Sequence, residues 1–200
     1  MDLETADLAA DPQPPSRLHR RSVLGAAGLA GIVGLTAAIA SSSTASAAPD
    51  RPTDADLASL EAALRLELAA SDLYEAAAAE LRDTEADFAK IVSTNHRAYA
   101  QAISATTGVA AQGRDDDLYD SFADTLITSD AQAFANAARR LENAAVDTHT
   151  MLLGGYESID AIELTASILV VEARHAAVLT SMAGFASNLD DMLGTTGGAA

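Results

Sequence analysis

Apolar residues recur at alternating steps of three and four in four separate stretches of the chain, the spacing that sets one face of an α-helix against a core. Over 53–82 the stripe reads Leu57, Leu60, Leu64, Glu67, Ser71, Tyr74, Ala78, Leu81. Over 85–107 it reads Ala89, Ser93, His96, Ala100, Ile103, with Phe88, Val92 and Tyr99 on a neighbouring line. A third helix is predicted over 129–153, with Ala135, Ala138, Glu142, Ala145, His149 and Leu152 facing inward. A fourth, over 158–186, presents Ile168, Glu172, His175, Leu179 and Met182. Thr53 with Asp56, and Ser129 with Gln132, have the spacing of capping boxes, and Ser158 is the natural cap of the last helix. Residues 108–128 break the period around a short helical pattern, DLYDSFADTL. That connection is too long for a hairpin turn and long enough to cross from one end of a bundle to the other. The fold class expected is all-α: an antiparallel four-helix bundle with a long connection between helices two and three.

The polar residues inside these stripes change the picture. Glu67, His96, Glu142, and Glu172 with His175 each fall near the middle of a predicted helix, where the pattern calls for Leu or Ile. Taken singly, each has an ordinary reading as a hydrogen-bonded core histidine or a solvated Glu–His pair. Burying an unpaired carboxylate costs several kcal/mol or more, so buried charges pair with one another or bind metals. Neighbouring helices of a bundle lie about 10 Å apart, which brings mid-helix positions towards one volume. Glu-x-x-His on the inner face of a helix is a unit that holds metal ions in such bundles. His149 stands two turns from Glu142, about 10 Å along the axis, too far to share an ion with it. It is read as a residue of the bundle end. Glu61, Glu75 and Glu80 lie off the stripe and are expected in solvent, and Asp115, Asp116 and Asp117 read as a helix start, since the Gly and Glu spacing of a calcium loop is missing.

Composition narrows the chemistry. The chain has 200 residues, a formal net charge of -17, 49% hydrophobic and 4% aromatic residues, and no Cys. Alanine-rich, aromatic-poor sequence suits helices rather than sheets. The acidic balance argues against nucleic acid and anionic lipid as partners. Without Cys there are no disulfides and no thiolate sites, so any metal must be held by carboxylates and imidazoles. No Gly-rich phosphate loop or nucleophile elbow occurs.

Residues 1–47 read as a targeting leader. Pro12, Pro14 and Pro15 sit in a polar start, Arg17, His19, Arg20 and Arg21 follow, and an apolar run extends from Val23 to Ala40. That run is just long enough to span a membrane as an uncleaved anchor. Its glycines make it a poor membrane helix, and Ala45-Ser46-Ala47 is a small-x-small cleavage site, so removal after Ala47 is expected. Arg20-Arg21-Ser22-Val23-Leu24 resembles the twin-arginine export signal. The expected location is the periplasm, cell wall or extracellular space, with no membrane partner once the leader is gone. Residues 48–52 form a linker, and 187–200 a flexible tail.

Residues 53–186 resemble the ferritin-like domain family, in particular the exported ferritin-like proteins of bacteria. The resemblance is densest in LENAAVDTHTMLLGGY (141–156) and LTASILVVEARHAAVL (164–179), with Leu66-Glu67 and Tyr74 matching the first-helix signature. It implies metal ligation by Glu67, His96, Glu142, Glu172 and His175, with iron, or manganese or zinc, as one or two ions. It also implies either oxidation of Fe(II) by oxygen or peroxide, or simple metal holding. Metal ions are then the expected partners, and storage in a shell of subunits would require a homo-oligomer. One position departs from the pattern: Ser93 stands where the family has Glu, three residues before His96. Three carboxylates against two divalent ions leave the second position weak, whereas one ion is readily completed by these groups and water. The alternative is a metal-free structural or interaction bundle that keeps the polar centre as a hydrogen-bonded network.

Overall fold

Thr53 opens the first helix of the computed structural model, which describes residues 49–110 and 113–185. Its hydroxyl accepts the Asp56 N–H at 3.2 Å while the Asp56 carboxylate accepts the Thr53 N–H at 3.0 Å, the reciprocal capping box expected there. Helix α1 spans Asp54–Glu80 and α2 spans Asp83–Thr107. The break between them falls at Leu81–Arg82, slightly earlier than the stripe implied. Gly108 closes α2 at φ 70, a left-handed cap that glycine adopts without steric cost. Helix α3, Asp116–Leu126, is the short helix within the long connection, and Asp115 caps it by accepting the Leu118 N–H. Helices α4, Ala131–Leu153, and α5, Ile159–Met182, complete an all-α architecture with no strand among the described residues.

One expected cap is corrected. Helix α4 is capped by Asp130, not Ser129: the Asp130 carboxylate accepts the N–H groups of both Gln132 and Ala133 at 2.9 Å. An ionised oxygen satisfying two orphan donors is the stronger cap.

Two apolar clusters establish the direction of each helix. One joins Leu73, Tyr74, Ala77 and Leu81 from the end of α1 to Ala86 and Ala89 from the start of α2. Leu126, Phe134, Ala137 and Leu141 from α3 and the start of α4, and Leu179 from the end of α5, complete it. The other joins Leu60 and Leu64 from the start of α1 to Ala100 and Ile103 from the end of α2, and to Ala161 and Ile168 from the start of α5. So α1 is antiparallel to α2, α4 is antiparallel to α5, and α2 runs parallel to α4. That arrangement requires a crossover, and α3 supplies it by packing along α1 and α4. Arg114 fixes its start, with Nη1 3.1 Å from Asp72 Oδ2 and the guanidinium 3.4 Å above the Tyr119 ring. At the other end of α1, the buried Asp56 also accepts the N–H groups of Glu157 and Ser158, tying the α4–α5 turn to the first helix.

The inner stripes are buried much as the periodicity predicts, with Ala77 rather than Ala78 on the α1 seam, while Glu61, Glu75 and Glu80 are exposed. Among the described residues no helix is long and apolar enough to cross a membrane. The leader with Arg20, Arg21 and Ala47, and the tail from 186 onwards, lie outside the described residues.

Candidate metal centre

Between the two apolar clusters lies a polar layer. Glu67 from α1, His96 from α2, Glu142 and His149 from α4, and Glu172 and His175 from α5 are all buried, His175 alone showing 8% exposure. Each of the five sequence-predicted residues is therefore inside, but they do not form a single ligand set. His96, Glu142 and His175 offer donor atoms within 4.8 Å of one another, and Glu67, His149 and Glu172 form a second such group.

His149 corrects the reading of the sequence. It is fully buried rather than at a bundle end, its Nε2 2.8 Å from Glu67 Oε1 and 3.4 Å from Glu172 Oε1. The axial distance from Glu142 does keep those two residues in different groups. What rise along one helix does not measure is reach across the bundle to α1 and α5. The signal that could have found it is its place on the α4 stripe, seven residues from Glu142.

The His96 ring joins the two groups. Its Nδ1 is 2.7 Å from Glu67 Oε2 and its Nε2 3.2 Å from Glu142 Oε1. Tyr74 stacks on the same ring at 5.6 Å between centroids, and its hydroxyl donates to Glu142 Oε1 at 2.5 Å. His175 Nδ1 lies 3.2 Å from Glu142 Oε2, and its other nitrogen faces the Asn95 side-chain amide at 3.1 Å.

Electrostatics divide the carboxylates. Burial pushes the Glu142 carboxyl upwards, but the imidazoles of His96 and His175 outweigh it and hold the group down at about 2. Glu67 is likewise lowered, burial being overcome by His96 and His149. Burial disfavours a charged imidazole at His96, yet Glu142 and Glu67 raise it well above the ordinary histidine range. Burial also works against His149, and Glu172 and Glu67 raise it to about 10. Glu172 is the exception: burial, reinforced by the nearby Glu67 charge, lifts it to about 7 against a partial offset from His149. Neither Glu172 oxygen has a hydrogen-bond partner. The His149 Nε2 proton is committed to Glu67 at 2.8 Å, so at 3.4 Å it leaves Glu172 unsatisfied.

Ser93 lies on the inner stripe but joins neither group. Its hydroxyl donates to the Ser71 carbonyl at 2.9 Å, and the Ser71 hydroxyl donates to the Ser93 carbonyl at 3.1 Å, clasping α2 to α1. The position where the resemblance calls for a carboxylate is thus bonded to the neighbouring backbone.

A helical bundle with a crossover connection and a buried layer of three carboxylates and three imidazoles presents the donor groups from which such bundles can build metal sites. The family follows from the sequence comparison: the ferritin-like domain model matches residues 55–184, and the chain belongs to that family. Searches of curated proteins and of solved structures give no match.

Proposed function

We propose that this bundle binds iron, manganese or zinc, as one or two divalent ions, through its buried Glu and His side chains, with sequestration or oxidation of the metal as its role. The observation that carries the reading is Glu172, a fully buried carboxylate with no hydrogen-bond donor on either oxygen. A buried polar group left unpaired costs about 1–3 kcal/mol, and more when charged. A cation held by Glu172 with Glu67 and His149 relieves that cost, and the nitrogen and oxygen donors suit these metals.

The chain's own residues prepare the site. Tyr74 and His175 hold the two Glu142 oxygens in place, Asn95 orients the His175 ring, and Glu67 orients His96. Such outer partners fix the orientation of the side chains they touch, and the Glu67 carboxylate behind His96 also raises the basicity of that ring. Bound iron would supply one-electron chemistry towards oxygen or peroxide. The export reading belongs with this proposal: Arg20-Arg21 and Ala45-Ser46-Ala47 support twin-arginine transport, with the bundle working outside the cytoplasm.

The Ser71–Ser93 clasp and the Glu–His hydrogen bonds favour a second reading, a metal-free bundle in which Glu172 carries a proton. Metal analysis of protein purified from its native compartment separates the two. The metal-binding reading expects bound metal, its loss in Glu172→Ala, and a melting temperature that chelator lowers and added Fe(II), Mn(II) or Zn(II) restores. An ion at a hundred times its Kd stabilises by about 2.7 kcal/mol. No bound metal and a melting temperature indifferent to chelator would overturn it in favour of the second reading.

A further inference from the structure

We infer that the chain carries two chemically distinct cation positions rather than one symmetric pair, and that His149 creates the second: Glu67–His149–Glu172 takes the harder, oxygen-preferring ion, and His96–Glu142–His175 the nitrogen-preferring one. This rests on the metal-binding reading above but adds a ligand, a division of the donors and an order of preference to it.

Three observations support it. First, α2 contributes an imidazole and no carboxylate, because position 93 is a serine, and its hydroxyl is bonded to the Ser71 backbone. A pair of ions bridged by a carboxylate at position 93 is not what these residues build. Second, His149 faces Glu67 and Glu172 from α4, with all three side chains fully buried and their donor atoms within 4.8 Å of one another. Both Glu172 oxygens lack a hydrogen bond and His149 Nε2 stands 3.4 Å away, so the carboxylate left without a close donor belongs to this group.

Third, the donor sets differ. Glu67–His149–Glu172 has two carboxylates and one imidazole, enough charge to neutralise a divalent ion. His96–Glu142–His175 has two imidazoles and one carboxylate. Carboxylate oxygen suits manganese and the harder cations, whereas imidazole suits zinc, copper, iron and nickel. Glu67 also touches both groups, one oxygen 2.8 Å from His149 and the other 2.7 Å from His96. An ion held through His96 Nε2 would therefore find that ring braced from behind by a carboxylate of the other position, an outer contact that strengthens a histidine ligand.

The test loads the chelator-stripped full chain with Mn(II), Zn(II), or both, and counts bound ions by equilibrium dialysis and elemental analysis. The expected result is two ions per chain with both metals present, one of each. His149→Gln is expected to lose the Mn(II) and retain the Zn(II), and His175→Gln to do the reverse, with helical circular dichroism confirming the fold. An independent readout needs no variant: pulsed electron paramagnetic resonance of Mn(II) bound to the unaltered chain is expected to show coupling to one directly bound imidazole nitrogen. Coupling to two nitrogens or to none, an unaltered chain that takes only one ion, or an unchanged ion count in folded His149→Gln, would overturn the inference while leaving metal binding itself standing. An unaltered chain that binds neither metal removes the metal-binding reading, and this inference with it.

Discussion

The Tyr74 hydroxyl donates to Glu142 Oε1 at 2.5 Å, from α1 to α4, with both side chains wholly buried. A charge-assisted bond of this kind fixes which way the carboxylate faces, and with it the orientation of a group that also touches His96 and His175. Tyr74→Phe keeps the ring and its stack on His96 and removes only the donor. The expected cost is about 1.5–3 kcal/mol, read as a fall of several degrees in the melting temperature of metal-free protein.

Stability of the metal-free protein is expected to fall as pH rises from the acidic range through neutrality. Glu172 is raised from 4.5 to about 7, so its contribution is fully present below pH 4.5 and lost as pH climbs through 7. His149, raised from 6.5 to about 10, contributes fully below 6.5 and loses that contribution towards 10. Glu142 has the opposite sign: lowered to about 2, it stabilises above pH 4.5 and ceases to as pH falls towards 2. Urea unfolding of chelator-treated protein should show a maximum near pH 5 and a decline towards pH 9. Added Mn(II) or Zn(II) should stabilise more as pH rises, because protons compete for the same groups.

Asp56 ties two segments together with one carboxylate, accepting the N–H groups of Thr53, Glu157 and Ser158. Asp56→Ala strands these donors at the start of α1 and in the α4–α5 turn. The expected loss is about 2–4 kcal/mol, larger than for an ordinary cap, measured by thermal or denaturant unfolding.

Ser93→Glu tests whether a carboxylate placed at that position reaches the candidate metal centre. Ser93 borders a surface groove shared with Glu75, Lys90 and Arg97. A longer side chain there must break the Ser71 clasp, and the Lys90 and Arg97 cations draw its charge outward. The variant is expected to be less stable by about 1–2 kcal/mol, the cost of the lost buried hydrogen bonds. Its ion count by elemental analysis should equal that of the unaltered chain.

The sequence made the helices and most of the polar centre legible because both follow from local period. Glu67, His96, Glu142, Glu172 and His175 interrupt apolar stripes at mid-helix, and a stripe is a property of residues three and four apart. The partition into two groups was not legible, because Glu67 meets His149 across 82 residues of chain and His175 meets Glu142 across 33. Ser93 shows the same limit: its stripe places it inside, but its bond to Ser71 depends on the register of α1 against α2. The Asp130 cap was missed for a smaller reason: Ser129 with Gln132 has capping-box spacing, but the neighbouring Asp130 carboxylate reaches two amides, those of Gln132 and Ala133.

The two apolar clusters enclosing the polar layer bear on the kinetics of anything held there. Leu73, Phe134 and Leu141 lie on one side and Leu60, Ile103 and Ile168 on the other. Of the six polar residues between them, only His175 is not completely shielded from solvent. Water-borne traffic thus meets the centre beside the His175 edge next to Asn95, and elsewhere only when the helices part. A cation captured there would have a residence time set by breathing of the bundle rather than by affinity alone.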